Sequence, residues 1–146
     1  MRGALSEGRM TPSSVDYVNA HGTGTTLNDS AETRAIIAAL GTDVPVSSSK
    51  SYFGHTLGAS GAIEAVVTVL ALQHQIAPPT LRLQTSAPEC PLDYIPHTPR
   101  PMKLGNVLSN TFGFGGSNVS LLFKVHPAHG EGSPAARERD PSRRSG

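Results

Sequence analysis

Two rhythms of apolar positions run along the chain. Val15-Asp-Tyr-Val-Asn19 alternates at period two and reads as a strand, and Val44-Pro-Val-Ser47 as a second, shorter one. Met1–Arg9 reads as a short helix, and Pro12 marks a turn over Thr11–Ser14. Helix formers run from Ala31 to Leu40 and stop at Gly41, with Asp29 and Glu32 at capping-box spacing ahead of them. Ile63, Val66, Val67 and Leu70 recur at helical spacing, which predicts a helix from about Leu57 to Gln73 whose flanking apolar side chains are buried. From Ile76 to Pro101 the chain is proline-rich, with few periodic signals beyond Leu92-Asp-Tyr-Ile95, and predicts an extended connection across the surface. Asn106–Asn110 and Val119–Val125 then read as two strands of a hairpin, joined by Thr111–Ser117.

This order of helix, strand, helix, strand, helix and two more strands predicts an α/β domain over residues 1–125. Helices cover a mixed sheet, and the functional groups sit on loops at strand ends. Residues 126–146 are rich in Gly, Pro, Ser, Arg and Glu and nearly free of large apolar side chains. Such a segment buries too little surface to offset its ordering entropy, so it is expected to be a disordered tail.

Composition narrows the function classes. A length of 146 residues suits one ordinary domain. The formal net charge of +1, with charges scattered, offers neither nucleic acid nor a membrane surface an electrostatic footprint. No apolar run approaches the roughly 20 residues that span a bilayer, and Met1–Met10 lacks the apolar core of a signal peptide, so a cytoplasmic location is expected. The single cysteine, Cys90, has no partner for an internal disulfide and no CxxC neighbour for a metal site.

Three loops carry residues with chemical potential. Asn19-Ala-His-Gly-Thr-Gly-Thr25 sets a histidine between a strand and two glycines that allow close backbone approach. A phosphate cradle is disfavoured, because no Lys follows the last Gly and the glycine spacing differs from the dinucleotide fingerprint. A plain structural turn and a loop presenting His21 as a proton donor beside Thr23 and Thr25 both stay open.

Ser47-Ser-Ser-Lys-Ser-Tyr-Phe-Gly-His55 brackets one turn with Lys50 and His55, ahead of the small residues Gly58-Ala-Ser-Gly61 that permit close packing. One reading makes Lys50 a solvated charge and His55 a helix cap. The apolar flanks favour another, in which a buried Lys50 needs a partner, and Glu64 is the candidate. His97, His126 and His129 lie in proline-rich or tail sequence and are expected to be solvated, while His74 sits at a helix end where the dipole favours a cation. In Asn110-Thr-Phe-Gly-Phe-Gly-Gly-Ser-Asn118 two aromatics interrupt a glycine run. That fits a mobile gate or a hairpin with two core phenylalanines.

Taken in order, Asn19-Ala-His-Gly-Thr-Gly-Thr25, Ser49-Lys-Ser-Tyr-Phe-Gly-His55 and Asn110-Thr-Phe-Gly-Phe-Gly-Gly116 resemble the C-terminal half of elongating β-ketoacyl-[acyl-carrier-protein] synthases, which have the thiolase fold. The resemblance runs from near Met1 to about Val125 and includes Pro78-Pro-Thr80 and Cys90–Pro96. It implies a decarboxylating Claisen condensation in fatty-acid or polyketide biosynthesis. His21 and His55 match the histidines that stabilise the enolate oxygen, Lys50 the lysine that keeps the charge balance, and Glu64 its glutamate partner. Thr23 and Thr25 match the threonines that bond the phosphopantetheine arm, and Phe114 the gating phenylalanine. The resemblance implies no metal or redox cofactor, since the phosphopantetheine arrives on an acyl carrier protein, which is the expected partner.

One departure is large. The family's nucleophilic cysteine belongs to the N-terminal half, at a helix N-terminus, and that half has no counterpart here. Cys90, between prolines and with no histidine beside it, reads as a solvated structural cysteine. The chain is therefore expected to be inactive alone, to expose a helix face that the other half or a homodimer partner normally covers, and to be unstable without it. A non-catalytic chain-length or binding subunit and one half of a split synthase are the alternatives. Retention of both histidines and the lysine argues against the first.

Overall fold

The computed structural model describes residues 1–126, so the expected tail, apart from His126, and His129 with it, lie outside the described residues. Helix α1 (Arg2–Gly8) leads through a turn at Pro12–Ser14 into strand β1 (Tyr17–Asn19). Helix α2 (Thr26–Leu40), strand β2 (Val46–Ser47), the four-residue helix α3 (Lys50–Phe53) and helix α4 (Ser60–His74) follow. Two short strands, β3 (Ile76–Ala77) and β4 (Arg100–Pro101), bracket the proline-rich connection, and β5 (Asn106–Phe112) and β6 (Asn118–Lys124) complete the fold.

The main sheet has the order β2-β1-β5-β6, parallel across its first three strands, with β5 and β6 pairing as the antiparallel hairpin expected from the sequence. Period-two alternation decides which face each side chain meets. Val18 and Leu108, paired in register, join Leu5, Ile36 and Val46 under α1 and α2. Their neighbours Tyr17 and Val107 face the other way, onto Ala71 and Leu72 of α4. The result is helix, sheet, helix, with β1 buried on both faces as a parallel central strand requires.

Several expectations change. Asp29 and Glu32 do not form a capping box: α2 starts earlier, at Thr26, because Thr25 is the N-cap and accepts from the Asn28 amide at 3.3 Å. The loop after β2 is not wholly irregular, since Lys50–Phe53 winds one helical turn and ends at Gly54, whose φ of 74° suits glycine.

Helix α4 buries a different face from the one its apolar periodicity suggests. Ser60, Glu64, Thr68, Ala71 and Leu72 point inward, while Val66, Val69 and Leu70 are exposed and Ile63 and Val67 only half-buried. The inward polar groups are satisfied: Asn19 Nδ2 donates to the Glu64 carbonyl at 3.0 Å, and Thr68 Oγ1 donates to the same carbonyl at 2.8 Å. Gly61 packs so close to β5 that a Cβ there would lie 3.2 Å from Thr111 Oγ1. The stretch Leu57–His74, at a mean hydropathy of 1.3, also reaches the length and apolarity of a short membrane span, contrary to the expectation that no run approached it. Its hydrogen-bonded polar face against the sheet is the packing of a layered α/β domain.

Cys90 is buried, not solvated. The proline-rich connection does not merely cross the surface; it is pinned along the free edge of β2. The Val46 amide donates to Asp93 O at 2.8 Å, and the Ser48 amide to Thr80 Oγ1 at 3.1 Å. Cys90, Leu92 and Ile95 are the side chains it plants inward. His97 and His126 are exposed, and His74 is the last residue of α4, as expected.

Candidate active site

The C-terminal ends of β1 and β2 present the two histidine loops side by side. His21 follows β1 directly and is buried, and Lys50 opens α3 just beyond β2. The turn that carries His21 is held by Glu32, whose carboxylate accepts from the amides of His21 at 3.0 Å and Gly22 at 2.8 Å. Asn110 of β5 donates to the same carboxylate at 3.2 Å. Burial pushes the Glu32 carboxyl upward, and these donors pull against that shift. Gly22, at φ 40°, sits so tightly on Ser48 that a Cβ there would come within 2.5 Å of the serine Cβ.

Lys50 is the hinge of the electrostatics. Its Nζ forms a buried ion pair with Glu64 Oε1 and lies 3.2 Å from His21 Nδ1. The other Glu64 oxygen accepts from Thr111 Oγ1 at 3.0 Å. The partner expected for Lys50 is thus the one the fold supplies, and both charges are desolvated, with side-chain exposures of 6 % and 2 %.

These contacts fix both histidine tautomers. An ammonium only donates, so His21 Nδ1 must offer its lone pair to Lys50, and the neutral ring carries its proton on Nε2. His55 Nδ1 accepts from the Leu57 amide at 3.1 Å, with Ser60 Oγ at 3.0 Å, so its neutral ring also carries the proton on Nε2. The two rings stand edge to face with centroids 5.3 Å apart. The arrangement is a pair of neighbouring N–H donors, each backed by a fixed acceptor contact, suited to holding one oxygen as it becomes negative.

Burial first, then the nearby Lys50 and His55, holds the His21 imidazole well below its usual 6.5, at about 4. An NMR titration of the His21 ring is therefore expected to have its midpoint at about pH 4. Lys50→Met should move it upward, because a cation is removed and the Glu64 carboxylate is left beside the ring. A midpoint at 6.5 in the parent chain would refute the assignment. The sign for stability follows: between pH 6.5 and about 4 the unfolded chain binds the proton that folded His21 refuses, so the fold weakens as pH falls through that window.

The remaining candidates lie further out. Thr23 and Thr25 share a hydrogen bond at 2.9 Å on an exposed loop. Phe114 is 95 % exposed on a one-turn helix between β5 and β6, so it is not a core residue; Phe112, half-buried at the end of β5, is the ring that meets His21, at 5.7 Å between centroids. Three supporting residues were not assigned to the site from the sequence: Glu32, whose spacing suggests a capping box, behind His21, Ser60 behind His55 and Thr111 behind Glu64. Glu32 and Ser60 are buried and Thr111 half-buried, each beside a charged or titratable group. The only sequence signal for Ser60 and Glu32 was polarity on helix positions that turn inward.

Residues 1–84 match the family described as the β-ketoacyl synthase C-terminal domain. A 3-oxoacyl-[acyl-carrier-protein] synthase 2 of Synechocystis is 52 % identical over 126 residues, which is 84 % of this chain and 30 % of that protein. A Streptomyces cyaneus protein assigned as polyketide β-ketoacyl synthase 1 is 49 % identical over 139 residues, 93 % of this chain and 31 % of that protein. Among solved structures, a β-ketoacyl synthase from Burkholderia phymatum superposes with a TM-score of 0.82 at 44 % identity, covering 85 % of this chain and 31 % of that one. A ketosynthase solved in complex with its type II polyketide acyl-carrier protein gives 0.79 at 33 % identity, covering 86 % and 31 %.

The chain belongs to the β-ketoacyl synthase family and carries that family's C-terminal domain, in the thiolase-like fold of the ketosynthases. It spans about a third of the length of the curated relatives it matches.

Proposed function

We propose that this domain supplies the enolate-stabilising half of a decarboxylating Claisen condensation, in fatty-acid or polyketide synthesis, with the nucleophilic thiol contributed by residues outside this chain. The observation that carries the reading is the pair of neighbouring Nε2–H donors whose tautomers Lys50 and Leu57 fix. As the bond from the malonyl α-carbon to its carboxylate breaks and CO2 leaves, the electron pair moves onto the thioester oxygen. His21 and His55 donate to that oxygen. The α-carbon then attacks the carbonyl of an acyl thioester, the new C–C bond forms, and the acyl C–S bond breaks to release the free thiolate.

Lys50 and Glu64 act behind the donors, since a charge-balanced pair keeps the His21 lone pair engaged without leaving a net charge buried. Thr23 and Thr25, two hydroxyls on an exposed loop, suit the polar length of a phosphopantetheine arm brought by an acyl carrier protein, and Phe114 suits a gate beside it. No metal or redox cofactor enters this chemistry. The reading also keeps the expected cytoplasmic location.

Cys90 is not the nucleophile in this scheme. It is buried within the connection that follows β3, in the wall of a cavity that neither His21 nor His55 lines. The exposed Val66, Val69 and Leu70 of α4 give an apolar surface on which a cysteine-bearing half or a homodimer partner would seat.

The test is direct. The 146-residue chain, mixed with acyl- and malonyl-carrier protein, is expected to yield no β-ketoacyl product; product from this chain alone would overturn the missing-thiol argument. A non-catalytic chain-length subunit is the second reading, favoured by the likeness to a ketosynthase/chain length factor structure, at a TM-score of 0.84. Unchanged product from a reconstituted synthase after His21→Ala would support it.

A further inference from the structure

A cavity of about 420 Å³ lies behind the His21 turn, between α2 and the connection from Thr80 to Tyr94. His21, Lys50 and His55 do not line it, so it is a space apart from the histidine pair. Ile36, Val46, Leu81 and Leu83 give it an apolar floor, and its volume falls in the range of pockets that take small organic ligands. The Thr33 and Tyr94 hydroxyls bond each other in its wall at 2.5 Å, and burial pushes the Tyr94 phenol up to about 12. The charged lining is unbalanced: Asp29, Glu32 and Glu89 face a single cation, Arg82. That favours a positively charged occupant.

The wall is also the back of the active-site turn. Glu32, which lines the cavity, accepts the amides of His21 and Gly22. Ser48, another lining residue, donates to the Gly22 carbonyl at 2.7 Å. The tight seating of Gly22 on Ser48 leaves no slack at this junction, so a ligand that draws on the Glu32 carboxylate must shift the hydrogen bonds that position His21.

We propose that this cavity binds a small amphipathic cation, an aryl or alkyl amine of fragment size, and that its occupancy is transmitted to the His21 turn through Glu32. The amine sits toward Asp29 and Glu32, and the apolar body lies on Ile36, Val46 and Leu83. The inference does not need the condensation chemistry to hold, although Thr25, one of the two threonines assigned to the pantetheine arm, lies in the cavity lining.

Cys90 makes the test clean, since it is the one cysteine of the chain and borders the cavity. Two chloroacetamide probes of equal size and equal reactivity toward glutathione, one bearing an aminomethylphenyl group and the other a carboxyphenyl group, are compared on the full chain by intact mass. The amine probe is expected to label Cys90 with saturating concentration dependence and about tenfold faster than the carboxylate probe, the preference that about 1.4 kcal/mol of binding confers. Asp29→Asn, which keeps the side-chain oxygen that accepts from the Gly24 amide, should shrink that ratio. In ¹⁵N–¹H spectra the His21 and Gly22 amides should move on labelling by the amine probe. Linear, charge-indifferent labelling, or saturable labelling that leaves both amides in place, overturns the proposal.

Discussion

Glu64→Leu is expected to lower the unfolding free energy of the domain by about 3–5 kcal/mol, because it strands a buried ammonium with no counter-charge. Lys50 Nζ, at 6 % side-chain exposure, has His21 Nδ1 and the Glu64 carboxylate as its polar partners among the described residues. Lys50→Met should cost a similar amount by stranding the carboxylate, which keeps only the Thr111 hydroxyl at 3.0 Å. The double substitution separates this account from a simple packing defect. A buried pair replaced by apolar side chains of similar volume is often neutral in stability, so Lys50→Met with Glu64→Leu should recover most of the loss. Urea unfolding of the four chains gives the coupling energy. Additive single effects would mean that the pair is not coupled, and the electrostatic description of the site would fail with it.

That ion pair also shows what the sequence could and could not convey. A lysine between two apolar segments demands a partner, and a glutamate one turn into the next helix is within reach, so burial makes Glu64 the candidate partner, beside the alternative of a solvated lysine. The orientation of α4 did not follow. Hydrophobic periodicity assigns Ile63, Val66, Val67 and Leu70 to the core, whereas the sheet is met by Ser60, Glu64 and Thr68. The rule fails because the inward face belongs to a polar network tied to Asn19, Lys50 and Thr111, and the apolar stripe is left as a second surface.

Glu32 was misread for a related reason. Acidic residues near a helix start normally serve that helix, but the α2 cap is Thr25, and Glu32 is turned across the layer boundary onto the His21 turn. Strands β1, β5 and β6 were legible because their alternation is regular and their turns are rich in glycine. The buried Cys90 was not, since its anchoring depends on a pairing between the 92–95 segment and the edge of β2 that lies 47 residues away at Val46 to Asp93.

The largest catalytic effect is expected from the histidines themselves. With a cysteine-bearing synthase half supplied in trans or fused ahead of this chain, His21→Ala and His55→Ala should each reduce malonyl decarboxylation by about 10²–10³-fold, the usual consequence of removing one preorganised donor from a developing oxyanion. On the proposal that the two rings act on one oxygen, the double variant should lose less than the product of the single losses. His55→Gln gives the sharper test. Its amide nitrogen still offers an N–H, so part of the rate should return at unchanged KM, whereas a residue needed only to transfer a proton is not rescued by an amide. The readout is CO2 release alongside β-ketoacyl product. A His55→Gln variant that folds as the parent does but is as inactive as His55→Ala would remove hydrogen-bond donation as the role of this ring and leave acid–base transfer in its place.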